Sequence, residues 1–205
     1  GIEGKRVLVL EKHFKIGGWT HTFKRRDFEW DVGIHYIGQV NQLHSPVRKL
    51  FDIISDGHLK WSQMDDNYDR IIFPDKSYDF VAPRERFIEN LVSYFPKEEL
   101  AIFKYMDLLD LVAKSSRPFF SQKALAGILD TISYPFMTRK FFKYSDKTTL
   151  DVLTSLTNNK KLIGVLTGQW GDYGLPPSRS SFAMHAFVAR HYLNGGSYPT
   201  GTSRK

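Results

Sequence analysis

Glu11 closes the apolar run Val7-Leu8-Val9-Leu10, and the pair Gly17-Gly18 follows it within a few residues. A carboxylate at the end of a buried strand is suited to a ribose diol, because both of its oxygens can accept hydrogen bonds from the sugar. Adjacent glycines permit positive φ or a very close approach of backbone to a ligand. A strand-end acid is also often simply solvated, so this pattern alone leaves nucleotide binding and a bare surface carboxylate both open.

Two other chemistries find less support. His13, His21, His35, His185 and His191 are candidate metal ligands, but His185 and His191 are six residues apart, which places them about 120° apart on a helix. No H-E-x-x-H motif is present, and no metal is expected. A hydrolase elbow G-x-S-x-G is also missing, and Ser180-Ser181 ahead of His185 reads as a helix N-terminus, where serine is a preferred cap. With no cysteine, the sequence has no thiol nucleophile, iron–sulfur ligand or cysteine-based zinc site.

The elements that position these residues follow from composition and periodicity. The 205 residues, 41% hydrophobic and 15% aromatic, suffice for one large domain or two small ones and exclude a disordered polar tail. The 29 Lys+Arg against 22 Asp+Glu give a formal charge of +7, yet the tightest basic cluster is Lys24-Arg25-Arg26 and the remainder alternate with acids. No nucleic-acid partner is therefore expected. There is no apolar run of about 18 residues and no signal-peptide core, so the expectation is a cytoplasmic or peripheral membrane location.

Lys5 to Glu11 has the continuous apolar run of a strand buried on both faces, as in a parallel sheet. His21–Lys24 and Phe28–Asp31 read as short strands. Ser45 as N-cap and Pro46 at the first helical position open a helix carrying Val47, Leu50, Phe51 and Ile54, with Gly57 as the stop. Leu59–Gln63, Tyr68–Phe73 and Ser77–Val81 predict a small antiparallel meander separated by Asp/Asn and Pro-Asp-Lys turns. Beyond Pro83 the pattern turns helical: Phe87, Ile88, Leu91, Val92 and Phe95 share a face up to Pro96, and Lys97–Arg117 repeats the pattern. Residues 118–144 mix aromatic and basic side chains, which suits buried helix contacts, a lipophilic pocket wall or a membrane-surface patch. Further helices are expected at Thr149–Thr157, Lys160–Gly168 and Ser180–Leu193, the last ended by Gly195-Gly196.

Several of these stretches resemble a known family. Val7-Leu8-Val9-Leu10-Glu11-Lys12-His13, Gly17-Gly18, His21-Thr22-Phe23 and Phe28 through Gly38 are similar to the early part of the all-trans-retinol 13,14-reductase (retinol saturase) group, which stands with phytoene desaturases and carotenoid isomerases among FAD-dependent oxidoreductases. Tyr173-Gly174, Ser181-Phe182-Ala183-Met184-His185 and Gly195 through Gly201 resemble that family's segment approaching the flavin, so the likeness covers nearly the whole chain.

The resemblance implies an α/β fold: a partial dinucleotide-binding, Rossmann-like parallel sheet plus an α+β substrate domain. The expected division is a partial FAD-binding domain over 1–58, a substrate domain over 59–194 and a return toward the FAD domain over 195–205. FAD is the implied cofactor, with NAD(P) as a candidate electron donor. Glu11 would take the ribose of the FAD adenosine, and Gly17 and Gly18 would let backbone pass close to the cofactor. Lys12 and Thr22 belong to the same cofactor-binding set. Asp31, Gly33 and His35 would lie on the loop toward the flavin, and Tyr198, Pro199 and Gly201 near the isoalloxazine or substrate end. Trp19 stands where many relatives of the wider superfamily carry a basic residue. The flavin would carry the redox step while the protein orients and dries the site, and a lipophilic polyene substrate would be held by apolar and aromatic surface. No catalytic acid or base is assigned.

Only Gly1-Ile2-Glu3-Gly4-Lys5 precedes the strand, so the glycine fingerprint expected about twenty residues before the acid is not in the chain. Without a phosphate-cradling helix N-terminus, each of whose donors is worth ~1 kcal/mol or more, weak FAD retention is expected. The leading reading is an oxidoreductase acting on polyene carbon–carbon double bonds, saturation preferred. The rivals are a non-catalytic module or basic peripheral membrane binder and, among enzymes, a carotenoid isomerase or flavin amine oxidase.

Overall fold

The computed structural model describes residues 1–18, 21–33, 36–123 and 128–201; Trp19, Ile34 and His35 lie outside the described residues. The chain divides into two compact units, residues 1–63 with 196–205, and residues 64–195.

The first unit opens without regular structure over residues 5–12. Val7, Leu8, Val9 and Leu10 are 66%, 81%, 82% and 84% exposed. This corrects the buried parallel strand expected from Lys5 to Glu11. A doubly covered strand needs hydrogen-bonding neighbours and packing layers from elsewhere in the chain, and the apolar run records only its readiness for them. Among the described residues every strand pair is antiparallel.

β1 (Thr22–Arg25) and β2 (Phe28–Asp31) form a hairpin, paired from Thr22↔Asp31 to Arg25↔Phe28. Its turn places Arg26 at φ +54°, in the left-handed region. β3 (Ile37–Gly38) leads to α1 (Pro46–Ile54), whose N-cap is Ser45: its side chain accepts the Val47 N–H, as the Ser-Pro start predicts. Gly57 then takes φ +68° and donates its N–H to Asp52 O at 2.8 Å, the glycine stop expected from sequence.

β4 (Trp61–Gln63) departs from the expected meander. It pairs with β7 (Gly196–Pro199), which also pairs with β3, so the sheet order is β3-β7-β4. The register is Ile37↔Ser197 on one side and Gln63↔Ser197 on the other. Local spacing suggests a neighbour in sequence, whereas this middle strand arrives from more than a hundred residues away. The Thr200 N–H extends the pairing by donating to Lys60 O at 2.8 Å.

The second unit begins with the hairpin of β5 (Asn67–Ile72) and β6 (Ser77–Val81), across which Arg70 Nε and Nη2 meet the two Asp79 oxygens at 2.5 and 3.0 Å. α2 (Arg84–Tyr94) covers the hairpin with Phe87 and Leu91. α3 (Glu99–Lys123) packs against α2, α4 (Ile128–Ser145), α5 (Thr149–Leu156) and α7 (Phe182–His191), and buries Ile102, Met106, Leu109 and Val112. It continues past the expected end at Arg117 through Pro118. An internal proline removes one helical hydrogen bond; here Phe119 beyond it stacks on Phe141 of α4 at 4.6 Å, and the helix holds. α6 (Lys160–Leu166), capped by Asn159, adds Leu162 and Val165 to the core.

Candidate nucleotide site

The loop after Glu11 is organised by its own polar groups. The His13 N–H donates to Glu11 Oε1 at 2.8 Å, fixing the carboxylate against the backbone that follows it. The Lys15 N–H donates to His13 Nδ1 at 3.1 Å, and Lys15 Nζ reaches forward to Thr22 O at 2.8 Å. Gly18 N donates to Lys15 O at 3.3 Å, and His21 Nδ1 lies 2.5 Å from Gly18 O. A carbonyl only accepts, so the His21 ring nitrogen is the donor.

Gly17 and Gly18 have φ of +96° and +53°. At Gly18 two features favour glycine. A Cβ there would stand 2.7 Å from Glu11 Oε2 and 3.2 Å from its Cδ, so any side chain would displace the carboxylate. The positive φ is the other demand, since L side chains seldom adopt it. Glu11 and the glycine pair, coupled in sequence only by order, are therefore in contact, and local hydrogen bonding rather than a parallel sheet sets the acid in place.

Glu11, Lys12, His13, Gly18 and His21 line a cleft of about 400 Å³. The His13 and His21 ring centroids lie 4.5 Å apart with a 31° tilt, and the Phe14 ring centroid lies 4.2 Å from that of His13. Sequence reading grouped the two histidines only as metal ligands. Among the described residues no group of three or more His, Cys, Asp or Glu side chains could hold a metal ion. The missed signal was two aromatic rings on either side of a glycine pair next to an acid.

The remaining expected residues fall in two places. Thr22 is buried at the start of β1 and donates its hydroxyl to Glu29 Oε1 at 2.8 Å, so its side chain is spent within the hairpin. Asp31 ends β2, and Gly33 follows at φ +84°. Burial, and then the Asp31 charge, raise the Tyr198 hydroxyl above its ordinary pKa, which brings the early Asp31 and the late Tyr198 into one neighbourhood. Tyr36 joins them, its ring 5.9 Å from that of Tyr198. Pro199 ends β7 opposite Trp61, and Gly201 takes φ +88° just beyond it. His35 lies outside the described residues.

The second unit holds a buried polar cluster around His185. His185 of α7, 1% exposed, has Tyr105 Oη at 2.9 Å from Nε2 and Tyr173 Oη at 3.2 Å from Nδ1. A neutral imidazole donates from one nitrogen and accepts at the other, so one tyrosine hydroxyl donates to the ring and the other accepts from it. Burial lowers the His185 pKa to about 4, raises Tyr105 and pushes Tyr173 up to about 12. Asp172, raised to about 6 by burial and then by the Asp69 charge, adjoins Tyr173 in the 3-10 turn Gly168–Tyr173. The helix start read at Ser180-Ser181 is seen as expected: Ser181 caps α7 by accepting the Ala183 N–H at 3.2 Å.

A ribose needs a fixed carboxylate without an intervening side chain, and the Glu11–Gly18 contact provides it; the residues present fit the adenosine end of a dinucleotide.

Comparison with known proteins agrees. Residues 3–54 match the family model described as an NAD(P)-binding Rossmann-like domain, which supports the α/β class. The all-trans-retinol 13,14-reductase of Danio rerio is 36% identical over 97% of the chain, and that of Homo sapiens is 35% identical over 98%. A protein named inactive all-trans-retinol 13,14-reductase, also from Danio rerio, is 28% identical over 97%. The chain spans about a third of the length of these relatives, 34% in each case. Along nearly its whole length, the chain is thus similar to about a third of the length of the all-trans-retinol 13,14-reductases, at 35–36% identity.

Proposed function

We propose that the protein is an FAD-dependent oxidoreductase that saturates a carbon–carbon double bond of a retinoid or related polyene. The observation that carries this reading is the Glu11 carboxylate, held by the His13 N–H at 2.8 Å and set directly against Gly18 in an open cleft. It is supported by relatives whose names specify a retinol reductase. In this reading Glu11 accepts the ribose hydroxyls, and the side-chain-free Gly17-Gly18 backbone lets the cofactor lie close. Asp31, Tyr36, Tyr198 and Pro199 form the wall toward the reacting end, with the Tyr198 hydroxyl kept protonated. A bound flavin supplies the hydride chemistry.

The test is titration of the protein with FAD, followed by incubation of the FAD-loaded, reduced protein with all-trans-retinol. A product two mass units heavier, with Glu11→Gln losing both bound flavin and product, is expected. Release of flavin-free protein that nevertheless saturates retinol would overturn the assignment. Feeding phytoene and amines in turn separates the desaturase and amine-oxidase alternatives by product mass.

A second reading, attachment to an anionic membrane surface, is favoured by α4. Ile132 and Phe136 are exposed there, Phe136 to 82%, close in sequence to the exposed bases Arg139, Lys140 and Lys143. No helix among the described residues is long and apolar enough to cross a membrane. Salt-sensitive flotation with anionic vesicles, lost in Phe136→Asp, is the expected result; flotation unchanged by that substitution removes α4 from consideration.

A further inference from the structure

We infer that the His13 and His21 imidazoles form the shelf on which the purine base of the nucleotide stacks. This rests on the cleft being a nucleotide site, as proposed above, but adds the group that recognises the base.

The rings are placed like a binding surface. Each is tied down at one nitrogen by backbone, His13 Nδ1 by the Lys15 N–H at 3.1 Å and His21 Nδ1 by Gly18 O at 2.5 Å. They are therefore oriented without being buried, and both remain half-exposed. They lie 4.5 Å apart, and both line the cleft that Glu11 and Gly18 also line. A volume of about 400 Å³ is within the range of small-ligand sites. An aromatic face attracts the π-face of any base, whereas a carboxylate addresses the sugar hydroxyls. One cleft thus carries a ribose acceptor and, beside it, two half-exposed imidazoles, which Phe14 backs at 4.2 Å from His13.

Such a shelf reads ring area and not the base's hydrogen-bonding edge. AMP and GMP should bind alike, and ribose 5-phosphate, which keeps sugar and phosphate but lacks a base, should bind about tenfold more weakly. The His21 bond to Gly18 O also makes that ring a positioning element for the glycine against which Glu11 lies.

The experiment titrates the full chain with AMP and with ribose 5-phosphate by calorimetry, and follows the histidine ring protons by NMR during the AMP titration. The expected result is an approximately tenfold preference for AMP, with upfield ring-current shifts in the two sets of resonances that disappear in His13→Phe and His21→Phe. His13→Ala should abolish the preference and His13→Phe should restore it. Glu11→Gln should weaken both ligands together and leave their ratio intact. A preference for AMP that persists in His13→Ala, or AMP binding without ring-proton shifts, overturns the shelf and leaves the ribose site standing. Failure of the unsubstituted chain to bind either ligand overturns the shelf and the nucleotide reading together.

Discussion

His13 and His21 in the first unit and His185 in the second all have ring nitrogens tied to named partners, yet their surroundings are opposite. The first pair is held by backbone groups from residues two or three positions away and lines an open cleft. His185 is held by the side chains of Tyr105 and Tyr173, eighty and twelve residues distant, with no ring surface open to water. Local tethering leaves a ring available to a ligand and costs little if it is cut. Long-range tethering inside a core makes the ring part of the fold, because a buried hydroxyl deprived of its partner cannot turn to solvent.

The sharpest way to break this contrast is His185→Leu. It leaves the fully buried Tyr105 hydroxyl without its partner, at ~1–3 kcal/mol, while the half-buried Tyr173 hydroxyl keeps Ser180, so urea unfolding should show a loss of about 2 kcal/mol. The matching His13→Leu should cost under ~0.5 kcal/mol, since His13 is half-exposed and its Lys15 N–H partner can turn to water. Equal losses would show that the two environments do not differ as described.

The pH dependence sharpens the same point. The folded pKa of His185 lies at about 4, below the ordinary 6.5, so the unfolded chain takes up a proton that the folded chain refuses. Stability from this site is complete above 6.5 and falls as pH drops toward 4, by about 3 kcal/mol in all. Asp172 acts in the opposite direction: its folded pKa of about 6, above the ordinary 3.8, stabilises at low pH and is lost as pH rises through 6. Unfolding measured from pH 7 to 4 should therefore steepen in Asp172→Asn and flatten in His185→Leu. No change in the latter would refute a neutral, buried imidazole.

In the cleft the expected effects are on binding. Glu11→Gln and Gly18→Ala should each reduce FAD affinity about tenfold or more, and the double variant should lose little beyond either, since both act on one contact. Additive losses in fluorescence titration would separate the two residues. The smallest effect concerns α1: Ser45→Ala removes the N-cap bond to Val47 N and should cost about 1 kcal/mol. Its nucleotide affinity should be unchanged, and a drop would tie helix capping to the cleft.

Local chemistry was legible wherever a residue's partner lies close along the chain. The cap at Ser45, the stop at Gly57, the hairpins at residues 22–31 and 67–81 and the helix start at Ser181 all follow from side chains within a few positions of the groups they satisfy. Glu11 beside the glycine pair was legible too, since only five residues separate them. The reading failed at Val7–Leu10 and at β4, where apolar run and strand propensity state a capacity for pairing without naming the partner. It also missed what Tyr105 and His185 do together, because spacing of eighty residues carries no periodic signal.

Residue order and type alone determined the acid, the glycine pair that follows it, most helices and their caps, and a family resemblance to retinol reductases. Only the tertiary structure decided that residues 196–199 enter between β3 and β4, that Asp31 acts on Tyr198, and that three histidines divide between a cleft and a core. The physical reason is range. Hydrogen bonds to nearby backbone are fixed by a few dihedral angles, whereas desolvation and strand pairing depend on which distant surfaces the whole chain brings together.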